Sequence, residues 1–220
     1  MFFLIVICIT AKAQVYLHDF GTVPISTNPY IVAPAVIQSF LSGSSWTNST
    51  GAFTNYSGSS GEAIAISNSG GSPTITLTFN VAAGYKINIT SFNFWQQRSA
   101  TGAQNWSMTI NGIGVGSGSI QTAGILIGNT AVANPVNNLA GVITIVISLS
   151  GASATGTYRI DDFTLYGSVV PNAYILLDNF NRNDSIRPAL PSSGGSAWWV
   201  ESEVGIFCSV LQIIRIKNNQ

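Results

Sequence analysis

Strict alternation of apolar and polar positions is the dominant pattern along the chain. In residues 73–81, PTITLTFNV, Ile75, Leu77, Phe79 and Val81 fall on one side, and Thr74, Thr76, Thr78 and Asn80 on the other. That is the period of a half-buried β-strand. NWSMTING places Trp106, Met108 and Ile110 together, and GVITIVISLSG does the same with Ile143, Ile145, Ile147 and Leu149. VYLHDFG and EAIAISNS are further strands. NSGGSP, VAAGY, SATGAQ and NGIGVGSGS between them carry turn and loop chemistry. No stretch holds a helical period over three turns. Many short strands at this spacing predict an all-β fold, an antiparallel sandwich or barrel.

Two strands change parity in mid-course. In YKINITSFNFW, Ile87 and Ile89 share one side, and Phe92 and Phe94 the other. In TYRIDDFTLYG, Tyr158 and Ile160 share one side, and Phe163 and Leu165 the other. Both sets reach the core only if one extra residue is inserted, which is a β-bulge. The second bulge falls on Asp161–Asp162. These two neighbours belong to a chain with eight Asp and Glu in 220 residues.

Composition sharpens this picture. Hydrophobic residues are 46% and charged residues 7%, against about 25% charged in an ordinary soluble domain. Ser, Thr, Asn, Gln and Gly therefore make the surface. The net charge is zero and no basic patch exists, so nucleic-acid binding lacks its electrostatic attraction. Ile, Val, Thr, Phe and Tyr outnumber the helix-favouring Glu, Lys and Arg, which again favours strands.

The first residues, MFFLIVICITAKAQ, form a short apolar run ending in Ala11-Lys12-Ala13. The run is shorter than the roughly 20 residues of a membrane span. Small residues at its end fit a secretory signal peptide over 1–13, with the mature chain starting at Gln14 and no membrane span left in it. No Lys or Arg follows Met1, which departs from the usual signal pattern; an apolar first strand is the alternative. Cleavage would leave Cys208 without an intramolecular partner. The composition changes again after GSVVPNAY, where Asp178, Arg182, Asp184, Arg187, Glu201 and Glu203 follow in close order. The expected organisation is a β-sandwich over 14–169 and a truncated second domain or loosely ordered tail over 170–220. The apolar run VGIFCSVLQIIRI makes that tail a short, incomplete β segment.

VYLHDFG, FNFWQQRSATGAQNWSMTING and YRIDDFTLYGSV together resemble the jelly-roll modules of secreted bacterial multidomain proteins. Those are similar to galactose-binding-like and carbohydrate-binding sandwiches. The resemblance covers residues 14–169, and its most specific parts are the step from Arg98 to Gly102 with Trp106 after it, and the closing Asp161–Asp162 strand. LDNFNRNDS and WWVESE resemble the opening of a concanavalin A-like lectin-type domain, whose remaining strands do not follow. Further domains of a longer parent protein are thus expected. The resemblance implies a structural Ca2+ held by Asp161 and Asp162, with Asp19 near the first strand as their counterpart. Carboxylates are hard oxygen ligands of the kind calcium collects six to eight of. The alternatives are that these acids pair with Arg98 or Arg159, or face solvent.

Sugar rings bind by stacking on exposed aromatic faces while amides and hydroxyls orient them. With Phe92 and Phe94 inward, Trp95 faces outward with Asn93 and Gln97, an arrangement suited to a glycan. Trp46, Tyr56 and Tyr30 lie in loop-like stretches and extend it. The alternative is that Trp95 packs in the second layer of the sandwich or beneath a loop. Catalysis finds little support. His18 is the single histidine and its neighbour Asp19 points to the other face of the strand. Adjacent Asp161 and Asp162 are poorly placed to straddle a glycosidic bond. The expected protein is a secreted or cell-surface, non-catalytic module that binds glycan or surface polymer. Its rivals are a structural spacer or adhesin domain and, more distantly, a hydrolase.

Overall fold

A computed structural model describes residues 13–68 and 71–172. These form twelve strands and, among the described residues, no helix. The seven-stranded sheet comprises β1 (Ala13–His18), β2 (Val36–Ile37), β4 (Thr54–Ser57), β5 (Glu62–Asn68), β7 (Tyr85–Arg98), β10 (Ile125–Leu139) and β12 (Gly156–Pro171). The five-stranded sheet comprises β3 (Leu41–Asn48), β6 (Thr74–Val81), β8 (Asn105–Ile110), β9 (Ile113–Ser119) and β11 (Gly141–Ser150). The paired strands are antiparallel. The larger sheet runs β10-β7-β12-β1-β2, with the β4–β5 hairpin also joined to β12, and the smaller runs β3-β6-β11-β8-β9. Numbering β1, β6, β7, β8, β9, β10, β11 and β12 as eight successive strands, one sheet reads first-eighth-third-sixth and the other second-seventh-fourth-fifth. That is the double Greek key of a jelly roll, with β2 to β5 inserted after its first strand.

The alternating residues fill the space between the sheets. Ile75, Leu77, Phe79, Trp106, Met108, Ile110, Ile143, Ile145, Ile147 and Leu149 are all buried. Both parity changes are bulges. On β7 the extra residue is exposed Thr90, skipped between the pairs Ser91–Tyr166 and Ile89–Gly167. On β12, Asp162 and Phe163 stand opposite Phe94 alone, between the pairs Asp161–Trp95 and Thr164–Asn93. Asp162 takes the extra step in the left-handed region, with φ of 50°. Asp is among the few non-glycine residues that adopt that region readily.

The β12 bulge sits where the strand exchanges one neighbour for another. Gly156–Ile160 pairs with β5, and Phe163–Gly167 pairs with β1. The extra residue turns Phe163 into the core, where its ring meets Tyr16, Trp46 and Phe94 at centroid distances of 6.4, 5.1 and 6.1 Å. NGIGVGSGS, expected as a turn, is mostly the strand β9, with the turn confined to Asn111 and Gly112. Of the expected signal segment only Ala13 is described, in β1, and of the expected tail only Val170, Pro171 and Asn172, the first two at the end of β12; the rest lie outside the described residues.

A left-handed residue at the bulge yields a direct test. Asp162→Gly should leave the melting temperature near that of the parent, whereas Asp162→Val should cost about 1–3 kcal/mol in chemical denaturation. Equal destabilisation by both would mean that the side chain, not the backbone step, is what the position needs.

Candidate functional site

The outward side of the larger sheet follows from the two bulges. With Phe92, Phe94 and Gln96 buried inward, Asn93, Trp95 and Gln97 point outward and are partly exposed. On β12 the residues opposite them are Thr164, Asp161 and Arg159. Arg159 in turn stands opposite Ala65 of β5, and Tyr56 of β4 opposite Ala63. Tyr56 and Ala63 thus share the outward parity of Ala65, Arg159 and Gln97, the same side as Asp161 and Trp95. Tyr56, expected in a loop, belongs to a strand and shares its face with Trp95.

Hydrogen bonds hold the polar members of this face. Gln97 donates through Nε2 to the Thr122 carbonyl at 3.0 Å and accepts at Oε1 from Arg159 Nη1 at 3.2 Å. Arg159 Nη1 also donates to the Ser57 carbonyl at 3.3 Å, and its guanidinium carbon lies 4.4 Å from the Tyr56 ring centroid. Asn93 Nδ2 donates to the Tyr166 hydroxyl at 3.2 Å. Gly124 packs on one edge of Trp95: a Cβ there would fall 2.3 Å from Cζ2. The indole is thus partly covered by its own chain and partly open.

Trp46 does not join this face. It lies on β3, is fully buried, and donates from Nε1 to the Tyr16 hydroxyl at 3.0 Å. A ring enclosed on both sides has no surface for a sugar. Tyr30 is buried too, bridged to Trp46 through backbone hydrogen bonds.

The acids do a different job from the one expected. Asp161 is fully buried beneath the turn between β4 and β5. Its Oδ2 accepts from the amides of Ser59 at 2.8 Å and Ser60 at 3.4 Å, and its Oδ1 from the amide of Asp162 at 2.8 Å. Gly58 presses so close that a Cβ there would lie 2.1 Å from Oδ2. Asp162 is partly exposed and Asp19 exposed. Among the described residues no three His, Cys, Asp or Glu stand together as a metal-ligand set. Calcium would need six to eight oxygens around it, whereas Asp161 faces N–H dipoles whose positive ends repel a cation. Asp161, Asp162 and Asp19 therefore do not fit the ion. Of the alternative partners, Arg98 donates instead to the carbonyls of Ile120, Ser99 and Ala100 at 2.8, 3.1 and 2.8 Å.

His18 is buried with both ring nitrogens engaged. Nδ1 accepts from the Phe20 amide at 3.0 Å, which assigns the proton to Nε2, 3.1 Å from the Val32 carbonyl. Burial holds its pKa below the ordinary value. A neutral imidazole bonded on both sides, stacked on Phe20 at 4.3 Å, organises its loop and is not placed as a base. A cavity of about 490 Å³ lies beside it, lined by residues of that loop such as Val23, Ile25 and Val32, and by none of the outward face.

No protein-family model matches the chain, and no curated protein does. Among solved structures it is similar to the family 11 carbohydrate-binding module of a cellulosomal cellulase of Clostridium thermocellum, at 15% identity and a TM-score of 0.40 over 72% of this chain and 97% of that one. The family 11 module from Clostridium thermocellum in complex with a β-1,3-1,4-mixed-linked tetrasaccharide gives 16%, 0.41, 72% and 98%. TmCBM61 in complex with β-1,4-galactotriose gives 17%, 0.35, 57% and 88%. No residue of the outward face is carried over from them.

Burial pushes the Asp161 carboxyl up from 3.8 to about 6, against the pull of its three amide donors. Between those values the folded chain binds more protons here than the unfolded chain. The contribution of Asp161 to stability should therefore rise as pH falls from about 6 toward 4, and be absent from the slope above 6. His18 opposes it below its ordinary 6.5, so the informative quantity is the difference between the parent and Asp161→Asn in denaturant melts across pH. That difference should grow in acid; a flat difference would show that Asp161 titrates alike in both states. Calcium or excess chelator should leave the melting temperature unchanged, and a fall with chelator would return the acids to a metal role.

Proposed function

We propose that the protein is a secreted, non-catalytic module that binds a glycan on the outward face of its larger sheet. The observation that carries this reading is the placement of Tyr56 and Trp95, both partly exposed, on one face with Asn93, Gln97 and Arg159. Along the order β4-β5-β12-β7 the two aromatics are three strands apart, roughly 14 Å measured across the strands. That span suits an oligosaccharide rather than a single sugar. Between them the turn over Asp161 presents exposed Ser59 and Ser60. Aromatic faces with hydrogen-bonding groups between them are what a sugar chain needs, since each pyranose offers an apolar face and a polar rim. Orienting the amides in advance, as Thr122 does for Gln97, lowers the entropy lost on binding.

A non-catalytic role fits the engaged nitrogens of His18 and the amide-capped carboxylate of Asp161. Export fits the apolar segment ending at Ala13. Mass spectrometry of secreted material should find Gln14 first, and an intact Met1 would remove this part of the reading.

A glycan array tests the main claim, and silence across it would favour a spacer or adhesin domain. Trp95→Ala should abolish binding to whichever glycan is captured, at a stability cost well below that of Trp46→Ala, for which about 3–5 kcal/mol is expected. Equal costs for the two would place Trp95 in the packing and sink the platform.

A further inference from the structure

The described residues contain three lysines and arginines, Lys86, Arg98 and Arg159, and their surroundings differ in kind. Arg98 closes a loop, with donors on three backbone carbonyls. Arg159 lies on the outward face among the residues assigned to the glycan. One nitrogen, Nη1, makes both of its hydrogen bonds, to the Ser57 carbonyl and to Gln97 Oε1, both at long distances and both to neutral acceptors. Its Nε is enclosed and has no partner.

A guanidinium carries five donors in a planar fork that matches a carboxylate in shape and charge. The acid nearest in sequence on the same face, Asp161, already gives both oxygens to backbone amides. The head group is nonetheless held in place. It lies against the Tyr56 ring, and Gln97, which accepts from it, is itself fixed by Thr122. Among the described residues, the chain thus holds an oriented cation without a paired acid beside an aromatic ring, in a sequence with only 7% charged residues. A purely structural tie between Ser57 and Gln97 would be met by a neutral side chain.

We infer that the glycan is acidic, and that Arg159 receives the carboxylate of a uronic acid residue while a neighbouring ring stacks on the open side of Tyr56. This rests on the glycan-binding reading of the face and names the class of sugar within it.

The test is a panel of neutral and uronate-containing oligosaccharides, each uronate present also as its neutral methyl ester, with sulfated neutral oligosaccharides as a further arm. The parent chain should bind a uronate roughly tenfold or more tighter than its ester, as expected of a charge-assisted hydrogen-bonded pair. High salt should narrow that gap. Arg159→Gln should abolish the preference for the uronate over its ester. The comparison on the parent chain needs no variant, so a misfolded Arg159→Gln would not blunt it. Equal binding of uronate and ester, or capture of neutral glycans alone, overturns the acidic ligand and leaves the glycan reading standing. Binding confined to sulfated members overturns the carboxylate. Silence across the whole panel overturns both readings.

Discussion

One strand serving two neighbours in succession is the constraint on which this jelly roll depends. β12 leaves β5 after Ile160 and joins β1 at Phe163. At that seam one side of the strand has no partner strand, and a buried polar backbone without partners is costly. The chain meets the constraint with a residue of each kind. Asp162 makes the left-handed step, and Asp161 brings a carboxylate that gathers the amides of Ser59, Ser60 and Asp162. Two acids side by side in an apolar strand are thus a backbone device. The step also decides the core, because it is what sends Phe163 inward among Tyr16, Trp46 and Phe94.

The outward face depends on the same offsets. Without the extra residue at Thr90, Phe92 and Phe94 would face solvent and Trp95 would enter the core, since a shift of one residue exchanges the two sides of a strand. The bulge at Asp162 then keeps both halves of β12 in step with β7, so that Arg159 stands opposite Gln97 and Asp161 opposite Trp95. Core and candidate site are two readings of one register.

That register was legible in the sequence wherever a strand shows large side chains to the core. The inward sets of β6, β8 and β11, and both parity changes, follow from alternation alone. The rest hides for physical reasons. β9 buries itself through side chains it lacks: a Cβ on Gly116 would fall 2.9 Å from Phe92 Cζ, and one on Gly118 would fall 3.0 Å from Trp106 Nε1. The aromatic rings supply the apolar surface, so the strand reads as a glycine-rich turn. β10 has a single fully buried residue, Val136, and so little inward period to detect. In β3, Trp46 is separated by four Ser and Gly residues from the nearest other large apolar residue, Leu41, and Ser44 is used to bond the Tyr16 hydroxyl at 2.8 Å. Polar residues chosen for such a bond look like a loop. Arg159 was open to discovery, since its parity with Asp161 puts both outward; its neighbouring acids suggested an ion pair instead.

The buried acid and the exposed cation are coupled through a few residues of the hairpin between β4 and β5. Asp161 holds the amides of Ser59 and Ser60, which fixes the tip of that hairpin over β12. The tip also bonds to the loop after β1, where the Glu62 amide donates to the Gly21 carbonyl at 2.9 Å. Ser57, at the start of the same turn, offers its carbonyl to Arg159, and Tyr56 before it lies against the guanidinium. A loose hairpin would let Tyr56 and Arg159 drift together, and each would need ordering when a ligand arrived. Clamped from below by a carboxylate that solvent does not reach, both are positioned before binding, and the entropy otherwise lost at that step is already lost in folding.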